Sequence, residues 1–169
     1  MLKQKGFIER MVKVERATAE DIEELANIYL EGYAGLEEYS YTHREDVLAY
    51  LNWLFRRDVA GVFVAQVDGK KVGFVAADGN WFSKREGKVV GAIHELVVLP
   101  DYRNRGIGKR LLERALEYFK ERGLPLAELW VGDENKRAIE FYKKHGFEER
   151  DRFNYWVRMT KRLENEARG

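Results

Sequence analysis

From about Lys88 to Leu99 the chain reads KVVGAIHELVVL, an almost continuous apolar run that Pro100 stops. A few residues later the period changes. Ile107, Leu111, Leu112, Ala115, Leu116 and Phe119 recur at close to 3.6 residues, the spacing of one helical face. The segment therefore predicts a strand, a short loop carrying Arg103, Asn104, Arg105, Gly106 and Gly108, and a helix from about Gly106 to Glu121, ended by Gly123 and Pro125. A strand that hands over to a helix this quickly marks a βα turn, and ligands of open α/β sheets bind outside such carboxyl ends.

The remaining segments extend that unit. Val12 to Arg16 reads as a short strand, and Thr18 with Asp21 approaches a capping box. Helical apolar spacing follows through Ile22, Leu25, Ala26, Ile28, Tyr29 and Leu30, then a Tyr- and Glu-rich loop over Gly32 to Tyr41, then a second helix through Val47, Leu48, Tyr50, Leu51, Leu54 and Phe55 with Thr42 at its cap. GVFVAQV and KVGFVAA flank Asp68-Gly69, the dipeptide of a tight hairpin. Leu126 to Val131 predicts a strand, Lys136 to His145 a short helix closed by Gly146, and Phe147 to Glu149 and Phe153 to Thr160 the last strands. The resulting order, β-α-α-β-β-β-α-β-α-β-β, describes an α/β chain with a central mixed sheet flanked by helices. No repeat or linker divides it, so residues 1–169 read as a single domain, with residues 1–11 a loose extension, KRLENEARG a frayed end, and Phe153, Tyr155 and Trp156 core or dimer contacts.

Composition narrows the function classes. With 169 residues, 45% of them hydrophobic and a net charge of +1, the chain has material for a core but no chain-wide basic field for nucleic acid. It contains no cysteine, which removes disulfides, thiolate zinc sites and cysteine nucleophiles. His43, His94 and His145 have no metal-ligand spacing, so no metal is expected. No apolar run approaches the roughly 20 residues of a membrane span, and MLKQKGFIER lacks the apolar region of a signal peptide, so a cytoplasmic protein off the membrane, monomer or homodimer, is expected. Richness in Lys, Arg and Glu is a thermophile-like bias.

The loop before the long helix has a physical logic of its own. The first N–H groups of a helix have no intrahelical acceptor and lie at the positive end of its dipole, so an anion, phosphate above all, docks there. Gly106 and Gly108 let a ligand approach the backbone, and Arg103, Arg105 and Lys109 add mobile positive charge. The loop is neither a P-loop, lacking its Gly spacing and the Ser/Thr after Lys, nor a dinucleotide fingerprint, lacking the third Gly and the distant acid. A glycine turn before an ordinary basic helix is the plain alternative.

The pattern Arg103-x-x-Gly106-x-Gly108 after a strand ending V-L-P resembles the acyl-CoA-binding motif of the GNAT N-acetyltransferase superfamily. Downstream, Asn135, Ala138, Phe141, Tyr142, Gly146 and Phe147 match the superfamily's N-x-x-A-x-x-F-Y-x-x-x-G-F signature, and the element order extends the resemblance over almost the whole chain. Asn104 stands where many members have Gly; Asn tolerates a left-handed backbone, so the loop is compatible. The resemblance implies that the N–H groups of Arg105, Gly106, Ile107, Gly108 and Lys109 hold a coenzyme A pyrophosphate. It implies that Leu96, Val97 and Val98 pair with the pantetheine arm like an added strand, and that Asn135 contacts the cofactor or holds the neighbouring strand.

The expected activity is acetyl-CoA-dependent transfer to a primary amine, whether a small amine, a polyamine, a lysine or a peptide N-terminus. The amine attacks directly in a ternary complex, since no cysteine exists for an acyl-enzyme. A non-catalytic acyl-CoA-binding or sensing module would keep the loop and lose the groups near the sulfur. By resemblance Tyr142 is the acid at the departing thiolate, against the alternative of a structural Tyr, and Phe141 beside it reads as core. Glu95 is the base candidate: a carboxylate in the apolar run AIHELVVLP is desolvated toward useful basicity, or else solvated and paired with a cation. Strand alternation points His94 to the opposite face; His43 and His145 read as surface. Tyr33, Glu37, Tyr39 and Trp81, with Glu38, Tyr41 and Phe82, are the candidates for the acceptor slot, where aromatic rings and carboxylates suit a cationic amine.

Overall fold

The computed structural model describes residues 11–164; the extension over residues 1–10 and the last five residues of the C-terminal end lie outside the described residues. The element order is the one expected: β1 (Val12–Arg16), α1 (Ile22–Gly32), α2 (Arg44–Arg57), β2 (Val62–Val67), β3 (Lys70–Ser83), β4 (Lys88–Val98), α3 (Ile107–Glu121), β5 (Leu126–Gly132), α4 (Lys136–Lys144), β6 (Glu148–Phe153) and β7 (Trp156–Arg162). The strands form one seven-stranded sheet in the order β1-β2-β3-β4-β5-β7-β6. All neighbours are antiparallel except β4 and β5.

Local chemistry explains the boundaries. Asp68 (φ 51°) and Gly69 (φ 78°) both take positive φ, so β2 and β3 are joined by the tight turn their sequence favours. The apolar stripe of α3 buries Ile107, Leu111, Leu112, Ala115 and Phe119 against the sheet. Gly91 in β4 makes that approach possible: a Cβ there would lie 2.4 Å from the Phe119 ring. On the other face, α1 packs on β4, where a Cβ at Gly32 would meet the Val97 side chain at 2.2 Å. Leu25, Leu51, Phe63, Phe74, Leu111 and Met159 are at most 1% exposed, each burial contributing about 1.5–3 kcal/mol before the entropy of ordering is counted.

Several expectations are corrected. Helix α2 begins one residue later than expected, with His43 and not Thr42 at the cap and no side-chain cap bond, and Arg44 instead ties the helix to α1 through Asn27 and Glu23. The final hairpin turns at Asn154 (φ 54°), so Phe153 ends one strand and does not begin the next. Lys161 and Arg162 belong to β7 and Leu163 is buried, with its N–H on Pro125 O, so these three residues of the expected frayed end are ordered; its last five lie outside the described residues. Phe153 and Tyr155 are exposed, not core, while Trp156 packs on Tyr39 with ring centroids 5.5 Å apart.

The correction that matters for function lies in β4. Ala76 pairs with Glu95 but Ala77 pairs with Ile93, so His94 is an extra residue in that strand. A bulge of this kind breaks the two-residue alternation. Glu95 and His94 consequently share a face, Glu95 against Tyr33 and Tyr50 and His94 against Trp53, with ring centroids 5.2 Å apart.

Candidate active site

β4 and β5 are paired only from Gly91↔Ala127 to Ile93↔Leu129. Beyond that point β4 keeps β3 on one side, through Leu96↔Val75 to Val98↔Gly73, and among the described residues has no strand on the other. The splay opens a cleft of about 1080 Å³ between β4, α3, α4 and the end of α1. Leu96, Val97 and Val98 form one wall, and the strand edge they present is free to pair with an extended ligand.

The start of α3 forms the cleft's end. Arg110 is the first residue to bond back, its N–H on Gly106 O at 3.1 Å, and the N–H groups of residues 106–109 have no backbone acceptor among the described residues. Gly106 (φ 83°) and Asn104 (φ 62°) both take the left-handed conformation, which turns those N–H groups outward. Around an ideal Cβ at Gly106 there is nothing within 4 Å, so the space a side chain would fill is open to a ligand.

Charge around this loop is distributed differently from expectation. Arg103 borders the cleft, and its guanidinium donates to Gly32 O at 2.8 Å and so ties the loop to the end of α1. Burial, with Arg137 nearby, lowers its pKa. Arg105 lies over the Tyr102 ring at 5.3 Å and is not part of the cleft wall, and Ile107 is core. Lys109 borders the cleft beside Glu113, 3.9 Å away. The further cations on the wall are Arg137, Lys143 and Lys144, all from α4. Sequence reasoning missed them because a helix's facing residues are known only once its partner is placed. Asn135 borders the cleft, and its side-chain oxygen accepts the Ala138 N–H at 3.3 Å and caps α4. Phe141 and His145 pack edge-to-face with ring centroids 4.7 Å apart and line the cleft, so neither is simple core or simple surface.

Tyr142 projects from α4 into the cleft. The residue is 7% exposed, its ring packs against Phe141 and Phe147, and its hydroxyl has no hydrogen-bond partner among the described residues. Burial, and secondarily the Glu95 charge, pushes the phenol well above its usual value, so it keeps its proton at neutral pH.

Glu95 is enclosed. Tyr33 donates to one carboxylate oxygen at 2.5 Å and Tyr50 to the other at 2.8 Å. Burial pushes the carboxyl from 4.5 up to about 7, against the opposing pull of the two phenols. Tyr33 was expected to wall the acceptor slot; it borders the cleft and holds Glu95 as well. Tyr50 was missed, since its position on α2 fits the apolar period and nothing local marks its hydroxyl as destined for a carboxylate.

Of the other acceptor candidates, Tyr39 donates to Asp133 at 2.8 Å and accepts the Glu134 N–H at 2.9 Å, pinning its loop to the end of β5. Glu37 is exposed and accepts the Gly35 N–H. Trp81 packs edge-on to His94 at 5.0 Å, beneath Arg57 and away from the cleft. His94 itself bonds Asp78 at 2.9 Å; burial pulls the Asp78 carboxyl up, and the His94 and Arg57 hydrogen bonds outweigh that and lower it.

The family profile described as the acetyltransferase (GNAT) family matches residues 21–147, which take in α1, the cleft and both helices beside it. The chain belongs to this family. The GNAT chain is 47% identical over 150 residues to an uncharacterized N-acetyltransferase of Methanocaldococcus jannaschii, covering 89% of its own length and 66% of that relative's. Among solved structures it is similar to a protein of Pyrococcus horikoshii OT3 (TM-score 0.82, 40% identity, 90% of this chain and 99% of that one). It also shares its fold with a PaiA N-acetyltransferase of Thermoplasma acidophilum solved in complex with coenzyme A (TM-score 0.72, 24% identity, 89% and 98%). Among the described residues no helix of this GNAT chain is long and apolar enough to cross a membrane.

The Glu95 environment makes a stability prediction for the GNAT chain. A carboxyl whose folded pKa is raised contributes stability that is fully present below its ordinary value of 4.5 and lost as pH rises through about 7. The loss approaches about 3 kcal/mol at 1.36 kcal/mol per unit. Glu95→Gln removes the titration, so the parent's Tm should fall relative to the variant's between about pH 5 and about pH 8, whatever constant offset the lost hydrogen bond imposes. An unchanged difference in Tm across that range would show that the carboxyl is not desolvated.

Proposed function

We propose that the chain transfers the acetyl group of acetyl-CoA to a primary amine by direct attack in a ternary complex. The acceptor class is a small amine, a polyamine, a lysine side chain or a peptide N-terminus. The observation that carries this reading is the continuity of one cleft from the unbonded N–H groups at the start of α3 to the unpartnered Tyr142 hydroxyl. The open space at Gly106 and the outward N–H groups suit a diphosphate, and Lys109 and Arg137 add charge. The free edge of β4 suits the amides of a pantetheine arm. That a Thermoplasma protein of the same fold was solved with coenzyme A supports the same ligand here.

The donor supplies an activated thioester. The chain's own groups supply the rest. Tyr142 holds a proton for the leaving thiolate, Glu95 is the proton acceptor for the amine, and the chain has no cysteine to carry the acetyl group. The test is thiol release from acetyl-CoA over a panel of polyamines, lysine derivatives and short peptides, alongside acetyl-CoA binding by calorimetry. Amine-dependent thiol release is the expected result. Binding without release for every amine would replace this reading with a sensing module.

A further inference from the structure

We infer that Tyr33 is the group that touches the acceptor amine and passes its proton to Glu95. The inference rests on the transfer reading above and deepens it by naming the path of the proton. Glu95 is not part of the cleft wall, whereas Tyr33 and Tyr142 are. Both oxygens of the Glu95 carboxylate are occupied, one by Tyr33 and one by Tyr50, and the residue is 9% exposed. An amine in the cleft therefore meets the Tyr33 hydroxyl before it can meet the carboxylate.

The Tyr33–Glu95 bond, 2.5 Å long, is a charge-assisted phenol–carboxylate hydrogen bond already aligned along the path the proton would travel. Around Glu95 stand four phenols, Tyr29 from α1, Tyr33 just after its end, Tyr50 from α2 and Tyr142 from α4, and its carboxyl is not ion-paired among the described residues. A proton arriving there makes a neutral acid in an apolar surround, which burial favours.

The acceptor's ammonium N–H bond breaks and its proton joins the Tyr33 oxygen as the Tyr33 hydroxyl proton joins Glu95. This leaves a neutral amine, a neutral Tyr33 and a protonated Glu95. The amine lone pair then forms the C–N bond to the thioester carbonyl carbon and the C–S bond breaks. The thiolate takes the Tyr142 proton, Tyr142 regains one from the new nitrogen, and Glu95 returns its proton to water.

Tyr50 is the built-in comparison, because it makes the same kind of bond to the same carboxylate but does not border the cleft. The experiment compares Tyr33→Phe and Tyr50→Phe in the full chain, with kcat and KM for one amine, pH–rate profiles, and rates in mixtures of light and heavy water. Tyr33→Phe should lower kcat about 100-fold with little change in KM, and the curved solvent-isotope dependence of the parent should become linear. Tyr50→Phe should lower kcat only a few fold and keep the curvature. Equal losses in the two variants, a loss confined to KM, or no loss at Tyr33 would overturn the inference while leaving the transfer reading intact. A parent that releases no thiol would remove both. Acetyl-CoA affinity serves as the folding control. If Tyr33→Phe fails it, replacement of Tyr33 by 3-fluorotyrosine keeps ring and hydroxyl and should keep both turnover and the curved solvent-isotope dependence; a linear dependence there overturns the relay.

Discussion

Tyr142→Phe is expected to slow acetyl transfer by about a thousandfold while changing acetyl-CoA affinity by no more than about twofold. The separation follows from where the hydroxyl sits. It has no hydrogen-bond partner among the described residues, so its removal breaks nothing in the resting chain. The ring contacts that place the residue, centroids 5.4 Å from Phe141 and 5.5 Å from Phe147, are carbon contacts that Phe keeps. Deleting a buried hydroxyl that bonds nothing is close to neutral for folding. A group idle in the ground state and needed only when the thiolate departs affects kcat and kcat/KM alike. Steady-state kinetics with calorimetric binding checks this. An unchanged kcat would take Tyr142 out of the chemistry, and a matched loss of affinity would make it a binding residue.

Gly108→Glu is expected to weaken acetyl-CoA binding at least about 100-fold without lowering Tm. Two effects of the same carboxylate have opposite signs. In the first turn of α3 a negative charge is stabilised by the helix dipole, by about 0.3–1 kcal/mol. A Cβ at this position meets the Phe141 ring only at 3.5 Å, an ordinary contact. The same charge stands where the ligand phosphates are proposed to dock, and two like charges there repel each other and compete for the same N–H groups. Gly108→Ala, with bulk and no charge, should fall between parent and Glu. Full affinity in Gly108→Glu would mean that the start of α3 is not the phosphate site.

Much of this arrangement is legible in the sequence. The order of eleven elements followed from the periodicity of the apolar residues, and Asp68-Gly69 announced its hairpin because few other pairs take two positive φ values in a row. Asn104 was tolerable in place of Gly for the reason now visible in its φ of 62°. These are properties of neighbours along the chain, and a helix start, a hairpin turn and a two- or 3.6-residue period are all written locally.

The environment of Glu95 was not. A desolvated carboxyl was one of two readings of AIHELVVLP, the other being a solvated carboxyl paired with a cation, and only the packing of α1 and α2 over β4 decided between them. That packing brings Tyr33 and Tyr50, distant in the chain, to the two oxygens of one carboxylate. The bulge at His94 turns that carboxylate and the histidine to the same side, against strict alternation. The bond of Arg103 to Gly32 O likewise ties its loop to the end of α1 while the residue borders the cleft, a link between distant segments.

For the segment from Arg103 to Lys109, the sequence alone determined that a glycine-rich turn would start a helix with its N–H groups unbonded, because those groups lack acceptors at any helix start. Which of its cations reach the cleft, and which phenol stands between that cleft and the buried acid, only the tertiary structure decided. Those are distances between segments, set by how helices with small and aromatic residues close on a splayed sheet, and no local pattern in the sequence encodes them.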